Sequence, residues 1–185
     1  MIDELLQDAR EHMEKSVDAT RHKFGSVRTG RASPALLDRI NVDYYGSLTP
    51  LRQLSTISAT EARLLTVQPY DKSSIKGIER AIMESDLGLT PNNDGQIIRL
   101  QIPELTEERR KQLVKVVRNL AEEGRVALRN IRRDVMHDLK ELRDAGEAGA
   151  DDEHRAEEAL QKLTDEKVKE LDALLKGKEA EILEV

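Results

Sequence analysis

The stretch TEERRKQLVKVVRNLAEEGRVALRNIRRDVMHDLKEL, residues 106–142, holds both a packing face and a charge pattern that organise the rest of the chain. Between Arg109 and Arg133 it carries nine basic residues (Arg109, Arg110, Lys111, Lys115, Arg118, Arg125, Arg129, Arg132, Arg133) against two acids, Glu122 and Glu123. Nine against two gives a local charge of +7 in a chain whose formal net charge is −6. At about 100° per residue, Lys111, Arg118, Arg125, Arg129 and Arg132 fall within an arc of about 60°. The apolar line Leu113, Val117, Leu120, Ala127, Ile131 runs roughly 120° away around the same helix. One face is fit to pack and another to meet something negative.

Charge on a long helix also simply solvates its outer face, and Arg118 with Glu122 makes a supporting i,i+4 pair. Two details favour a polyanionic partner over that reading. Arginine outnumbers lysine seven to two in the stretch, and the guanidinium fork suits phosphate. Within the helix, few carboxylates stand near Arg125 to Arg133.

Working outward, Pro103 precedes the helix, Thr106 is placed as its N-cap, and Glu107 and Glu108 complement the dipole in its first turn. The full apolar line, Leu113, Val117, Leu120, Gly124, Ala127, Ile131, Val135, Leu139, Leu142, is a heptad pattern with a stutter near Val135. Such a helix spans about 35 residues, or roughly 50 Å. The Gly/Ala-rich segment Ala145–Ala150 makes a turn. Asp151-Asp152-Glu153 opens a last helix with Leu160, Leu163, Val168, Leu171, Leu174, Leu175 and Ile182 on its core face. At the other end of the chain Ile2, Leu6, Ala9, Met13, Val17, Thr20, Phe24 and Val27 recur at steps of three and four, with Gly30 expected to end that helix. Three amphipathic helices cannot bury these stripes alone, so a bundle is expected.

Between the first helix and the basic one the period changes. Ile40, Val42 and Tyr44, then Leu65 and Val67, then Ile98, Leu100 and Ile102 alternate with more polar neighbours, as strands with one buried face do. Turn chemistry separates them at Gly46, Thr49-Pro50, Pro69 and Thr90–Gly95. A short helix, capped by Ser73 or Ser74 and carrying Ile75, Ile78 and Ile82, ends before Gly88. All five prolines lie between Pro34 and Pro103. The expected class is therefore α+β: a three-helix bundle from residues 1–30 and 105–185, with a small β/α/β domain, 31–104, inserted. Two segments, Gly30-Arg31-Ala32 and Pro103-Glu104-Leu105, would join the two bodies as a hinge.

Composition narrows the function. In 185 residues, 38% are hydrophobic, 36% charged and 2% aromatic, which suits long exposed helices more than a compact enzyme globule. The absence of cysteine excludes thiol chemistry and disulfides. The charged amphipathic start of the chain lacks signal or transit character, and no apolar run reaches spanning length, so a soluble cytoplasmic protein without membrane contact is expected. His12, His22, His137 and His154 show no ligand spacing, and no Gly-rich phosphate loop or nucleophile elbow is present. Asp151-Asp152-Glu153 reads as a helix start, not a cation site. No enzyme activity, cofactor or metal is expected. With Phe24, Tyr44, Tyr45 and Tyr70 as the only aromatics, nucleic acid would be met through phosphate charge and shape. Two rivals stay open, a helical-bundle chaperone or scaffold for an acidic partner, and a nucleotide-dependent enzyme sited in the insert.

Several blocks, in order along the chain, resemble the bacterial ribosome recycling factor family. They are Val27-Arg28-Thr29-Gly30-Arg31-Ala32-Ser33-Pro34; Tyr44-Tyr45-Gly46 with Thr49-Pro50-Leu51-Arg52-Gln53-Leu54; Ala81 to Asn92; Leu105 to Lys111; and Arg125 to Asp134. The resemblance implies an L-shaped monomer that meets the post-termination ribosome and, with elongation factor G and GTP hydrolysis, splits it into subunits. It implies contact between the bundle and large-subunit rRNA through Arg110, Arg129, Arg132 and Arg133. The charge stripe itself adds Arg118 and Arg125. The turn 145–150 departs from relatives that carry lysines there, and His137 is given no role.

Overall fold

The computed structural model describes residues 1–184 of the chain. Its elements are α1 (Ile2–Gly25), β1 (Asn41–Tyr44), β2 (Ser47–Pro50), α2 (Leu51–Leu54), β3 (Ser55–Glu61), β4 (Leu64–Pro69), α3 (Ile75–Glu84), β5 (Pro91–Asn93), β6 (Ile98–Gln101), α4 (Glu107–Asp144) and α5 (Ala150–Leu183). They form two compact units. One holds Met1–Phe24 and Val114–Glu179; the other holds Gly25–Leu113 and the chain from Ala180 onward. The borders thus fall inside the long helices, several residues from the 30/31 and 104/105 borders drawn from composition.

The helical unit buries most of the α1 line, Ala9, Met13, Val17, Thr20 and Phe24, while Ile2 and Leu6 at its start are half-buried. The helix stops at Gly25, though, not at Gly30. Ala35, in the 3-10 turn Pro34–Leu37, approaches to where a Cβ on Gly25 would lie 3.2 Å from its own Cβ. Val27 consequently lies outside the helix. On α4 the deepest positions are Val117, Ala121, Leu128 and Leu139, each 1% exposed or less. Ala121 and Leu128 replace Leu120, Ala127 and Ile131, which are only half-buried. A helix wedged between two others buries a band wider than a single heptad line, and 3.6 residues per turn drifts across it.

α4 starts on Thr106, whose Oγ1 accepts the Arg109 N–H at 3.1 Å. It ends in a Schellman turn: Gly146, at φ +74°, donates to Arg143 O at 3.0 Å, and Glu147 N–H donates to Leu142 O at 2.9 Å. Buried Glu153 then takes Arg143 at 2.9 Å and ties the start of α5 to the end of α4. Along α5 the buried line includes two polar residues absent from the apolar reading. Thr164 donates back to Leu160 O at 2.8 Å, and Lys167 is paired with Glu14 of α1 at 3.6 Å and Glu170 at 3.3 Å.

The α/β unit has a four-stranded antiparallel sheet in the order β3-β4-β6-β5 and a separate β1-β2 hairpin. β4 and β6, with Leu65, Val67, Ile98 and Leu100 fully buried, were legible as alternating runs; β2, β3 and β5 were not. Those three expose most of their residues and so show little hydrophobic alternation. α3 presents Ile75, Ile78 and Ile82 to the same core. Ser74 occupies its N-cap position without a side-chain capping bond, and the turn that leads in is capped by Asp71, which accepts the Ser73 N–H at 2.9 Å. The β1–β2 turn puts Tyr45 (φ +51°) and Gly46 (φ +82°) in the left-handed region, as a two-residue type I′ turn requires.

Gly124 marks the tightest helix approach: a Cβ there would sit 2.6 Å from both Leu171 Cδ1 and Thr20 Oγ1. Gly124→Ala is expected to lower stability by about 1–2 kcal/mol, since overpacking costs up to ~3 and the helix-propensity gain returns ~1. Gly177→Ala, with open space around it, is expected to raise stability by about 0.5–1 kcal/mol. Urea unfolding of the two variants checks both signs.

Asp94, between β5 and β6, accepts the Ile97 N–H at 2.8 Å, the Gln96 N–H at 2.9 Å and Arg99 Nη1 at 2.9 Å. The Ile97 backbone bond, then Arg99, hold its carboxyl well below the usual carboxylate range. A depressed folded-state pKa stabilises the fold above the unfolded value, about 3.9, and that contribution is lost as pH falls further. Asp94→Asn should therefore melt earlier than the unaltered protein at neutral pH, with the gap closing below about pH 4; thermal melts across that range read it directly.

Candidate nucleic-acid interface

The basic stripe divides once α5 is beside it. Arg118 Nε reaches Glu179 Oε1 at 2.6 Å. Arg125 places Nε at 2.8 Å and Nη2 at 2.7 Å from Asp172 Oδ1, with Nη1 at 3.1 Å from Glu122. The arginines advance by seven residues while their partners retreat by seven, as antiparallel neighbours must. Its hydrogen bond to Asp172 above all, then Glu122, raises the pKa of the Arg125 guanidinium. These two arginines stitch α4 to α5.

Further along, the carboxylates thin out. Arg129 has only the shared Glu122 at 3.4 Å. Arg133, 75% exposed, has only its neighbour Asp134 at 3.9 Å. Among the described residues Arg132 meets no carboxylate: Nη1 donates to the Gln161 amide oxygen at 2.9 Å, and Gln161 Nε2 donates in turn to Asp165 at 2.9 Å. That relay orients the guanidinium without cancelling its charge. Arg129, Arg132 and Arg133 share a shallow groove with Val126, Asn130, Met136 and Gln161. These three retain the field an anion would feel.

Arg110 belongs to the other compact unit. Its Nη1 donates to Leu183 O at 3.3 Å, and its Nε is buried without a hydrogen-bond partner among the described residues. A guanidinium against the last carbonyls of α5 complements that helix's dipole. Arg28, not singled out by the helix stripe, is half-buried; burial and then the nearby Arg109 lower its pKa. Its basic character was hidden because it sits in irregular chain, where no helical spacing groups it with the others.

The linkers are locally anchored within the same unit. Ala32 N–H donates to Ala62 O at 2.8 Å, Ile102 N–H donates to Arg63 O at 2.8 Å, and Arg63 pairs with Glu104 at 2.9 Å. The β3–β4 turn therefore holds both. Arg31 N–H donates to Thr29 Oγ1 at 3.2 Å, and its side chain pairs with Glu184 at 3.5 Å. Leu105 is buried and Pro103 exposed. Gly30 is at ordinary φ with nothing within 4 Å of an added Cβ. Among the described residues no His/Cys/Asp/Glu group is arranged to hold a metal ion, and no helix is long and apolar enough to cross a membrane.

Fold and site together define an α+β protein whose three packed long helices carry an exposed, weakly paired arginine cluster. The ribosome recycling factor family model matches residues 20–183. A ribosome-recycling factor of Rubrobacter xylanophilus is 58% identical over 180 residues, covering 97% of each chain, and one of Listeria monocytogenes is 54% identical over the full length of both. A solution structure of a ribosome recycling factor aligns with TM-score 0.78 at 40% identity, over 100% of this chain and 98% of the other. A second, described as a model of the T. thermophilus ribosome recycling factor and E. coli elongation factor G bound to the E. coli post-termination complex, aligns with TM-score 0.71 at 48% identity, covering 99% of each chain. The chain belongs to the ribosome recycling factor family.

The different pairing of the arginines has a measurable consequence. Arg125→Ala is expected to cost about 1 kcal/mol of stability by unpairing Asp172 and Glu122, whereas Arg133→Ala should stay within about 0.5 kcal/mol of the parent. Equilibrium denaturation separates them.

Proposed function

We propose that this chain binds the post-termination ribosome and, with elongation factor G and GTP, promotes its dissociation into subunits. The reading draws on family membership and on the neighbour described with elongation factor G on a post-termination complex. One observation carries the ribosome-facing side: on one stretch of α4, Arg129 has the shared Glu122 at 3.4 Å, Arg133 its neighbour Asp134 at 3.9 Å and Arg132 an amide oxygen, with no acid from α5 among the described residues. Large-subunit rRNA supplies the matching phosphate charge. In this proposal the chain acts in the cytoplasm, as a monomer, and catalyses no reaction itself. GTP chemistry belongs to its partner. A chaperone or scaffold would need apolar stripes on open surface, but the stripes of α1, α4 and α5 are directed into the bundle. Polysome breakdown after termination, with and without the chain and elongation factor G, tests the activity; no acceleration by the pair would refute it.

Among the arginines, Arg129, Arg132 and Arg133 are proposed as direct rRNA contacts, with Arg110 contributing beside its contact to Leu183. Arg118 and Arg125 act mainly by holding α5 in register. Arg129→Ala with Arg132→Ala should weaken binding to large subunits by about tenfold or more at moderate salt and flatten the salt dependence, because two cationic contacts to RNA are lost. Arg118→Ala should change binding far less. Sedimentation of the variants with purified subunits over a salt series reads both quantities.

Gly30-Arg31-Ala32 and Pro103-Glu104-Leu105 are proposed as the two segments about which the α/β unit is displaced during splitting, a motion that breaks their bonds to Ala62 and Arg63. The sequence has no cysteine, so a disulfide engineered across the two units beside these linkers has no native competitor. Oxidation is expected to preserve subunit binding and stop splitting, with recovery on reduction. Equal recycling rates for the verified cross-linked and reduced forms would leave the linkers a purely structural role.

A further inference from the structure

We propose that the groove formed by Val126, Arg129, Asn130, Arg132, Arg133 and Met136 receives an unpaired RNA base, so that this part of α4 reads a bulged or looped nucleotide in addition to backbone phosphate. The inference rests on the RNA-binding reading of the same arginines and goes beyond it in naming what enters between them.

Three observations converge. The groove has a volume of about 680 Å³, room for more than a phosphate. Apolar side chains stand at both ends of the groove: Val126, 43% exposed, and half-buried Met136, ten residues or about 15 Å further along the helix. Phosphate oxygens gain nothing from Val126, whereas the face of a base is apolar enough to cover it and stacks on guanidinium planes. Asn130, on the same rim, has a side-chain amide with no hydrogen-bond partner among the described residues. A free amide offers a donor and an acceptor side by side, the pattern a base edge answers.

The arginines are arranged for the same task. Arg132 is held at the groove by Gln161 and, through it, by Asp165. That contact restricts the motion of the guanidinium, which lowers the ordering cost on binding. Arg129 and Arg133, one turn apart, have Cβ atoms about 6 Å apart. They can take the phosphates on either side of a splayed nucleotide. A regular A-form duplex has no base free to enter, so the groove favours loops and bulges.

The test uses purified large ribosomal subunits as the probe, with the full chain and two variants of exposed residues, Asn130→Ala and Val126→Asp. Base-specific chemical reagents and hydroxyl radicals are applied in parallel, the first reporting base edges and the second the backbone. The unaltered chain should protect at least one unpaired base within its backbone footprint. Each variant should lose that base protection and bind more weakly by roughly fivefold or more, the weak end of what one stacked base contributes. At saturating protein the backbone footprint should persist in both variants. Backbone protection with no protected base, or base protection unchanged in both variants, would overturn the proposal while leaving the RNA reading of the arginines intact. No footprint of either kind with the unaltered chain would overturn both.

Discussion

Arg118 and Arg125 of α4 reach across to Glu179 and Asp172 of α5, Arg143 reaches Glu153, and between these ion pairs Gly124 lets the two backbones and α1 close to contact. This antiparallel seam sets everything that follows on the helical unit. Exposed ion pairs contribute little each, so the seam is held mainly by the buried faces. What the pairs add is register, because each oppositely charged match is lost if one helix slides by a turn. Register in turn decides which arginines find carboxylates and which do not.

Function follows from that sorting. Eight arginines on one helix would be a diffuse basic field if all were free and a solvated face if all were paired. Within the helical unit, Glu179, Asp172 and Glu153 of α5 pair with Arg118, Arg125 and Arg143 and leave the weakly paired cluster Arg129, Arg132 and Arg133, where α5 offers Gln161 in place of an acid. A neutral acceptor fixes the geometry of Arg132 without neutralising it. Local cationic character therefore survives in a protein that is acidic overall, which steers a polyanion to one place on the surface.

The α/β unit is built on different terms. Its core is a continuous apolar cluster from Leu36 to Ile102, while its turns depend on short-range hydrogen bonds. Asp71 gathers Tyr44, Tyr45, Ser73 and the lead-in to α3, and Asp94 closes the β5–β6 turn. Tyr45 occupies a left-handed conformation that β-turn geometry demands and its side chain does not favour. Its hydroxyl bonds to Asp71 and Ser73 offset that cost.

Several elements whose signal lay in the local period of the chain were determined by the sequence alone. The α1 stripe, the buried faces of β4 and β6, the three isoleucines of α3 and the Thr106 cap were all legible, because neighbours within a turn or a strand pair dictate them. The family resemblance, read from blocks spanning most of the chain, agrees with the family model and relatives. Tertiary structure alone decided the rest. The core line through Ala121 and Leu128 follows from α4 being flanked on two sides, and the early end of α1 from the close pass of Ala35 by Gly25. The stripe's division into stitching and free arginines depends on partners 29 to 61 residues away. A charge count within one helix cannot see them, because sequence distance does not fix which residues of a second helix stand opposite until both helices are packed.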